Sequence, residues 1–348
     1  VTDSLLARRS GRIGHVSLNR PKALHALTID MCHAMTEALL AWRDDPAVEA
    51  VILDHAEGRG FCAGGDIAYL RHSVLTDEGA AGLKFFHDEY LLDELIHSYP
   101  KPFVSFMDGV TMGGGVGISQ PAQYRVATEN TRFAMPETGI GLFPDVGGSW
   151  YLSRLPGRAG QYLVLTGARL DGAECLWAGL ATHYLPACAL DEAKRRIAEA
   201  PGNVPSILRE LASVPLAPKI AAIAPAIDRL FAADRLEDIL AALEADPSDW
   251  AQAQLATVRT KSPQASKIAL RQLADGAKLT RFSGALAMEY RIVARVLTRP
   301  DFAEGVRAVI VDKDNAPKWD PATPELVSDD LIASIFAPLP PEQEWRPL

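Results

Sequence analysis

The chain has 348 residues, 48% hydrophobic and 23% charged, the proportions of an ordinary globular protein long enough for a large buried core. Its formal net charge of −9 excludes a general nucleic-acid binder, which needs a basic footprint, yet leaves room for a local basic pocket around an anionic ligand. No run of about 18 apolar residues occurs and the opening segment has no apolar signal core, so neither a membrane span nor a leader is expected.

The first half reads as strands alternating with helices. Ile13–Leu18 is a strand by its apolar and β-branched content. Met31, Met35, Leu39 and Trp42 then recur at helical spacing behind a Thr28 cap and before a stop at Asp45-Pro46, a core-packing stripe. Val48–His55 is a second strand, and it leads into the glycine-containing turn Phe61-Cys62-Ala63-Gly64-Gly65-Asp66-Ile67. Lys101–Met107 is a third strand, and its exit leads into Gly113-Gly114-Gly115. A helix opens inside Gly114–Ser119, and Tyr124–Ala127 is a further strand. Repeated units of this kind imply an α/β fold.

From about Leu190 strand-like runs disappear. Ala, Leu, Glu, Arg and Lys dominate Asp191–Ala200, Ile227–Ala245 and Phe282–Thr298, so this half is expected to be helical, interrupted by Pro201, Pro205, Pro215, Pro218 and Pro225. The tail, with Pro338, Pro340, Pro341 and Pro347, is expected to be extended and loosely held. The division that follows is a core over 1–190 and a helical region over 191–348. Cys32, Cys62, Cys175 and Cys188 are irregularly spaced and read as free thiols in a reducing compartment, the cytoplasm being the expected location.

The chemistry concentrates between Met112 and Asp145. A glycine triplet lets backbone N–H groups approach a ligand without interference from Cβ atoms. Downstream, Met135-Pro136-Glu137-Thr138-Gly139-Ile140-Gly141-Leu142-Phe143-Pro144-Asp145 places two carboxylates eight positions apart in a segment dense with Gly and Pro. Backbone donors and nearby carboxylates are the parts needed to stabilise an oxyanion and to handle protons or water. Taken alone, the turn at Gly65 is structural and Asp145 a turn residue after Pro144. His33, His72, His87 and His97 lack the tight paired spacing of a zinc motif, so no metal is expected.

These residues resemble the crotonase (enoyl-CoA hydratase/isomerase) superfamily. Within it, the run from Pro136 to Gly148 is similar to the 3-hydroxyisobutyryl-CoA hydrolase branch. The stretch Leu18–Leu27 resembles the family's Asn-Arg-Pro-Lys-x-x-Asn-Ala-Leu signature, with His25 where the second Asn usually stands. Ser262–Leu273, Glu304–Asp314 and Pro317-Lys318-Trp319 resemble that branch too, so coverage runs from about Arg12 to Pro321. The resemblance implies a spiral of ββα units, with the helical region covering an acyl-CoA site. It assigns the oxyanion donors to Gly65 and Gly114, each typically worth ~3 kcal/mol in the transition state.

Of the two glutamates that the family's hydratases use, the second matches Glu137 and the first matches Gly117, which has no side chain to exchange a proton. Asp145 matches an aspartate of the hydrolase branch and would bind a 3-hydroxyl. Glu89 matches an acidic substrate-contacting position, with a solvated helix residue as the other reading. Lys22, Ala23 and Leu24 would line the coenzyme A entrance, with Asp66 near the adenine. Lys313 and Lys318 are either surface lysines or neighbours of the phosphates. The implied activity is hydrolysis of an acyl-CoA thioester, best 3-hydroxyisobutyryl-CoA. Coenzyme A is then part of the substrate rather than a cofactor, and a homo-oligomer is possible. The alternatives are an enoyl-CoA isomerase or hydratase, and a non-catalytic acyl-CoA-binding protein.

Overall fold

The computed structural model describes residues 3–348, and among them ten strands and sixteen helices. The strands are β1 (Leu5–Ser10), β2 (Ile13–Leu18), β3 (Ala50–His55), β4 (Gly60–Cys62), β5 (Phe103–Met107), β6 (Val110–Met112), β7 (Tyr124–Ala127), β8 (Arg132–Ala134), β9 (Leu170–Asp171) and β10 (His183–Tyr184). In the first half the helices are α1 (Ile29–Asp44), α2 (Ile67–Asp77), α3 (Ala80–His97), α4 (Gly114–Ser119), α5 (Gly148–Tyr151), α6 (Ala159–Thr166) and α7 (Gly172–Ala178). Beyond them run α8 (Leu190–Glu199), α9 (Val204–Leu211), α10 (Lys219–Leu230), α11 (Leu236–Ala245), α12 (Asp249–Val258), α13 (Pro263–Gly276), α14 (Phe282–Val296), α15 (Pro300–Val306) and α16 (Asp329–Phe336).

Two sheets share the strands by turns. A six-stranded sheet has the order β1-β2-β3-β5-β7-β10, and a four-stranded sheet the order β4-β6-β8-β9. The chain lays one strand in the first sheet and the next in the second: β3 then β4, β5 then β6, β7 then β8. Helices α2 and α3 follow the first of these pairs and α4 the second, so each unit is ββα and successive units pair in parallel. Each short strand of the second sheet therefore ends at a turn that opens a helix, and those turns stack beside one another.

The six-stranded sheet is parallel from β2 to β10, with β1 antiparallel at its edge, and its central strands β3 and β5 are buried on both faces, as a parallel sheet demands. Alternation along β3 sends Val51 and Leu53 into the large core and Ala50 and Ile52 into a second cluster, where α8 and α9 bring Leu190, Ala193, Ile197, Val204, Ile207 and Leu208. The large core runs from Leu5 to Trp345 and draws on both halves of the chain. Of the helical region, only the Thr260-Lys261 turn and the Val309–Pro317 segment reach the cleft described below, whereas α8 and α9 cover the back of the sheet.

Three local expectations change. Pro225 lies inside α10 rather than ending it, and Pro205 sits in the first turn of α9, where a missing N–H costs nothing. The Ile227–Ala245 stretch is two helices, α10 and α11. The C-terminal tail is held in place: the buried Trp345 donates its indole N–H to the His87 carbonyl at 3.2 Å, and Glu344 pairs with Arg291 at 2.9 Å. An indole and one ion pair outweigh the signal of the prolines. Among the described residues, no helix is long and apolar enough to cross a membrane. Cys32, Cys62 and Cys175 are buried free thiols and Cys188 is exposed.

Candidate active site

Two turns make the floor. After β4 the chain passes through Gly64, at φ +114°, and Gly65, which bridges Leu27. Leu27 N–H donates to the Gly64 carbonyl at 2.7 Å and Asp66 N–H to the Leu27 carbonyl at 2.9 Å, leaving the Gly65 N–H without a backbone acceptor. After β6, Gly113 turns at φ +47° into α4, whose first residue, Gly114, also has its N–H free of backbone acceptors, as a helix start requires. The turns touch: a methyl group on Gly114 would lie 3.3 Å from the Gly65 nitrogen, and one on Gly115 would stand 2.2 Å from the Cys62 carbonyl oxygen. Close approach, of the Glu89 carboxyl and the Gly65 backbone at Gly114 and of the Cys62 backbone at Gly115, requires the second and third glycines of the triplet rather than a special dihedral.

Three carboxyls line the same cleft as these amides. Glu137 opens a 3-10 turn, with Oε1 beside Gly113 and Oε2 without a hydrogen-bond partner. Glu89 projects from α3, with Oε1 against Gly114 and likewise unpartnered. Asp145 lies in the loop before α5, and its Oδ2 accepts from the Tyr90 hydroxyl at 2.8 Å. All three are buried, and no Lys, Arg or His is among the charges acting on them. Burial, then the Asp145 charge, pushes Glu89 and Glu137 well above the ordinary carboxylate range. Burial also lifts Asp145, to about 7, against the pull of the Tyr90 hydrogen bond.

The Asp145 loop is pinned from the helical region. Glu289 of α14 accepts from the Gly147 N–H at 2.8 Å, the Ser149 N–H at 2.9 Å and the Ser149 hydroxyl, and Gln272 of α13 donates to the Pro144 carbonyl. Position 117 is closed. A Cβ there would meet Val146 Cβ at 2.8 Å and the Asp93 carboxyl oxygens at 2.9 and 3.0 Å, so no glutamate side chain fits in this arrangement.

Gly65, Gly114, Glu89, Glu137 and Asp145 line one cleft of about 810 Å3, together with Ala23 and Asp66. Lys22 and Leu24 do not line it, although they belong to the same strained loop: Leu24 and His25 have φ of 47° and 57°. His25 is fully buried and acts as a clamp, its ring accepting the Arg20 N–H at 2.9 Å and lying 2.8 Å from the Glu57 carbonyl oxygen. Asp66 caps α2 through the Tyr69 N–H and pairs with Arg20 at 3.1 Å. Neither Lys313 nor Lys318 lines the cleft. The cations on its wall are Lys261 and Arg169, which sequence reasoning missed, and burial lowers the Lys261 ammonium from the usual lysine range. Tyr90, Asp93, Gln272 and Glu289 were missed too. They belong to no local motif, and the one available signal was the resemblance of Ser262–Leu273, which contains Gln272.

Residues 13–336 match the enoyl-CoA hydratase/isomerase family. The chain is 42% identical to a mitochondrial 3-hydroxyisobutyryl-CoA hydrolase of Xenopus tropicalis, over 96% of this chain and 89% of that protein. It is 39% identical to 3-hydroxyisobutyryl-CoA hydrolase 1 of Arabidopsis thaliana, over 98% and 93%. Two solved structures superpose over 99% of both chains: a carnitinyl-CoA dehydratase from Mycobacterium thermoresistibile (TM-score 0.94, 41% identity) and an enoyl-CoA hydratase from Rhodobacter sphaeroides 2.4.1 (TM-score 0.91, 39% identity).

Proposed function

Since the chain belongs to the enoyl-CoA hydratase/isomerase family and has its crotonase fold, we propose that it is an acyl-CoA thioester hydrolase whose substrate is 3-hydroxyisobutyryl-CoA. The curated relatives described above carry that activity in their names. The two solved structures carry dehydratase and hydratase in theirs, activities that move water across a carbon–carbon bond. Position 117 decides between the readings. Hydration in this family needs a second acid there, and Val146 with Asp93 occupies the space its side chain would take. Asp145 instead supplies a carboxyl from the same loop that carries Val146.

In this mechanism the thioester carbonyl oxygen lies against the N–H groups of Gly65 and Gly114, which meet the negative charge that develops on it. The ionised Glu137 attacks the carbonyl carbon. The C–S bond breaks, coenzyme A leaves as thiolate and takes up a proton, and the mixed anhydride is hydrolysed by water to the free acid. Alternatively Glu137 takes a proton from water, and the water oxygen attacks directly. Asp145 accepts from the 3-hydroxyl. Ala23 and Asp66 lie at the cleft wall where coenzyme A would enter, and Lys22 and Leu24 shape that loop from behind. Every residue named lies within one chain, and neither route draws on a metal or a resident cofactor. Four free thiols suit a reducing compartment such as the cytoplasm; the vertebrate relative named above is mitochondrial.

Glu137→Gln tests the assignment, since it keeps the shape and removes the nucleophile or base. Thiol release from 3-hydroxyisobutyryl-CoA should fall at least ~100-fold with the fold intact. A folded variant that still turns over at the wild-type rate would remove Glu137 from the chemistry.

A further inference from the structure

Three acids meet at the cleft without a cation among them, Glu89 and Asp145 on its lining and Asp93 behind them. Glu89 and Asp93 are one turn apart on α3 and share its inward face, and Asp145 stands opposite. Glu89 and Asp93 are 2% and 0% exposed. Glu89 Oε1 and both Asp93 oxygens have no protein partner, whereas Asp145 alone receives a hydrogen bond, from Tyr90. A buried carboxylate without a counter-charge or donors is costly, so ionisation settles on the acid that has a donor. Two facing carboxyls in such a site share a proton.

We propose that Glu89 works as a neutral carboxylic acid, donating a hydrogen bond to the oxygen of the substrate's 3-hydroxyl while the ionised Asp145 accepts that hydroxyl's proton. The reading rests on the hydrolase assignment and deepens it, because it makes the β-hydroxyl the group the site is built to recognise. A hydroxyl held this way is donor and acceptor at once, and only one protonated and one ionised carboxyl complement both roles. Glu89 lines the cleft beside Gly114, next to the amides that would hold the carbonyl, so both contacts fall on one short acyl chain.

Burial and the charge on Asp145 favour the neutral form of Glu89, and the groups that face it include no cation. They are Asp93 on its own helix, Asp145 from the loop before α5, Cys32 from α1 and Cys62 at the end of β4. Both thiols are themselves kept neutral by burial, Cys62 being pushed up to about 12. Asp93 in turn faces Glu94 of α3 and Glu289 of α14, and its charge raises the Tyr151 phenol of α5. None of these supplies a positive charge.

Two measurements test the proposal, each with Glu89→Gln, which keeps a donor, and Glu89→Leu, which does not. The infrared difference spectrum of free wild-type protein minus Glu89→Gln at neutral pH should show a protonated-carboxyl C=O band, and the absence of that band overturns the proposal. The second measurement is the ratio of kcat/KM for 3-hydroxyisobutyryl-CoA to that for isobutyryl-CoA, which lacks the hydroxyl. Glu89→Leu should lower this preference about thirtyfold and Glu89→Gln about threefold. Equal loss in the two variants, or equal slowing of both substrates by Glu89→Leu, overturns it. If wild-type protein releases thiol from neither thioester, the hydrolase assignment fails, and the infrared result still decides the state of Glu89.

Discussion

At the scale of single residues, the site is governed by what burial does to acids. In the proposed mechanism Glu137 and Asp145 act ionised, and burial raises both, Asp145 to about 7. Because an acid with a raised value is ionised only above it, kcat/KM for hydrolysis should climb as pH rises through neutrality, instead of levelling off in the ordinary carboxylate range. A pH–rate profile already flat well below neutrality would show that these carboxyls are not the groups whose ionisation limits turnover. Gly65, Gly114, Glu137, Asp145 and Asp66 could be picked out in the sequence because each sits in a short stretch that resembles a family motif, and the structure brings all five to one cleft. Asp93 and Glu289 could not be. Their importance comes from contacts with residues distant in the chain, Glu289 binding Gly147 across 142 positions. Lys313 and Lys318 stayed open between two readings for the converse reason: a lysine's charge is visible in sequence and the direction it faces is not, and both are exposed and off the cleft lining.

At the scale of elements, the C-terminal segment over the cleft depends on one guanidinium. Arg307 bonds Glu304 at 2.8 Å, Asp312 at 2.6 Å and Asp314 at 2.7 Å, and Glu304 accepts from the Lys318 N–H at 2.8 Å. The backbone is thereby folded through Lys313 and Asn315, both at positive φ, and Asn315 and Pro317 come onto the cleft wall. Arg307→Gln should release this strap and leave the core alone, since the network lies at the surface. If the closed arrangement becomes a minority state, KM for the acyl-CoA rises about three- to tenfold with little change in Tm. A steady-state titration beside a thermal melt checks this, and an unchanged KM would show that the strap does not contribute to binding.

A second cleft, of about 820 Å3, has Lys101, Arg125 and Arg154 on its wall and no acid. Those cations are accounted for by the helices they end. Lys101 donates to carbonyls at the end of α1, Arg125 to Gly179 and Leu180 after α7, and Arg154 to Gly276 and Leu279 at the end of α13.

At the scale of the molecule, the ββα spiral brings the ends of β4 and β6 side by side, which is why two glycine turns some fifty positions apart share one place. The alternation of strands and helices made the α/β class readable, and the change in composition near Leu190 marked where strands end, β10 closing at Tyr184. The sequence did not show that α8 and α9 would cover the back of the sheet while α13 and α14 hold the Asp145 loop, because helical periodicity names a buried face without naming its partner. In the proposed reading, it is the closed position 117 that sets hydrolysis apart from hydration. The decisive measurement runs purified wild-type protein in two assays side by side, thiol released from 3-hydroxyisobutyryl-CoA and double bond lost from crotonyl-CoA. The account predicts catalytic release of coenzyme A from the first, with hydration of the second at least ~100-fold slower. Efficient hydration of crotonyl-CoA with no thiol released from 3-hydroxyisobutyryl-CoA would contradict it.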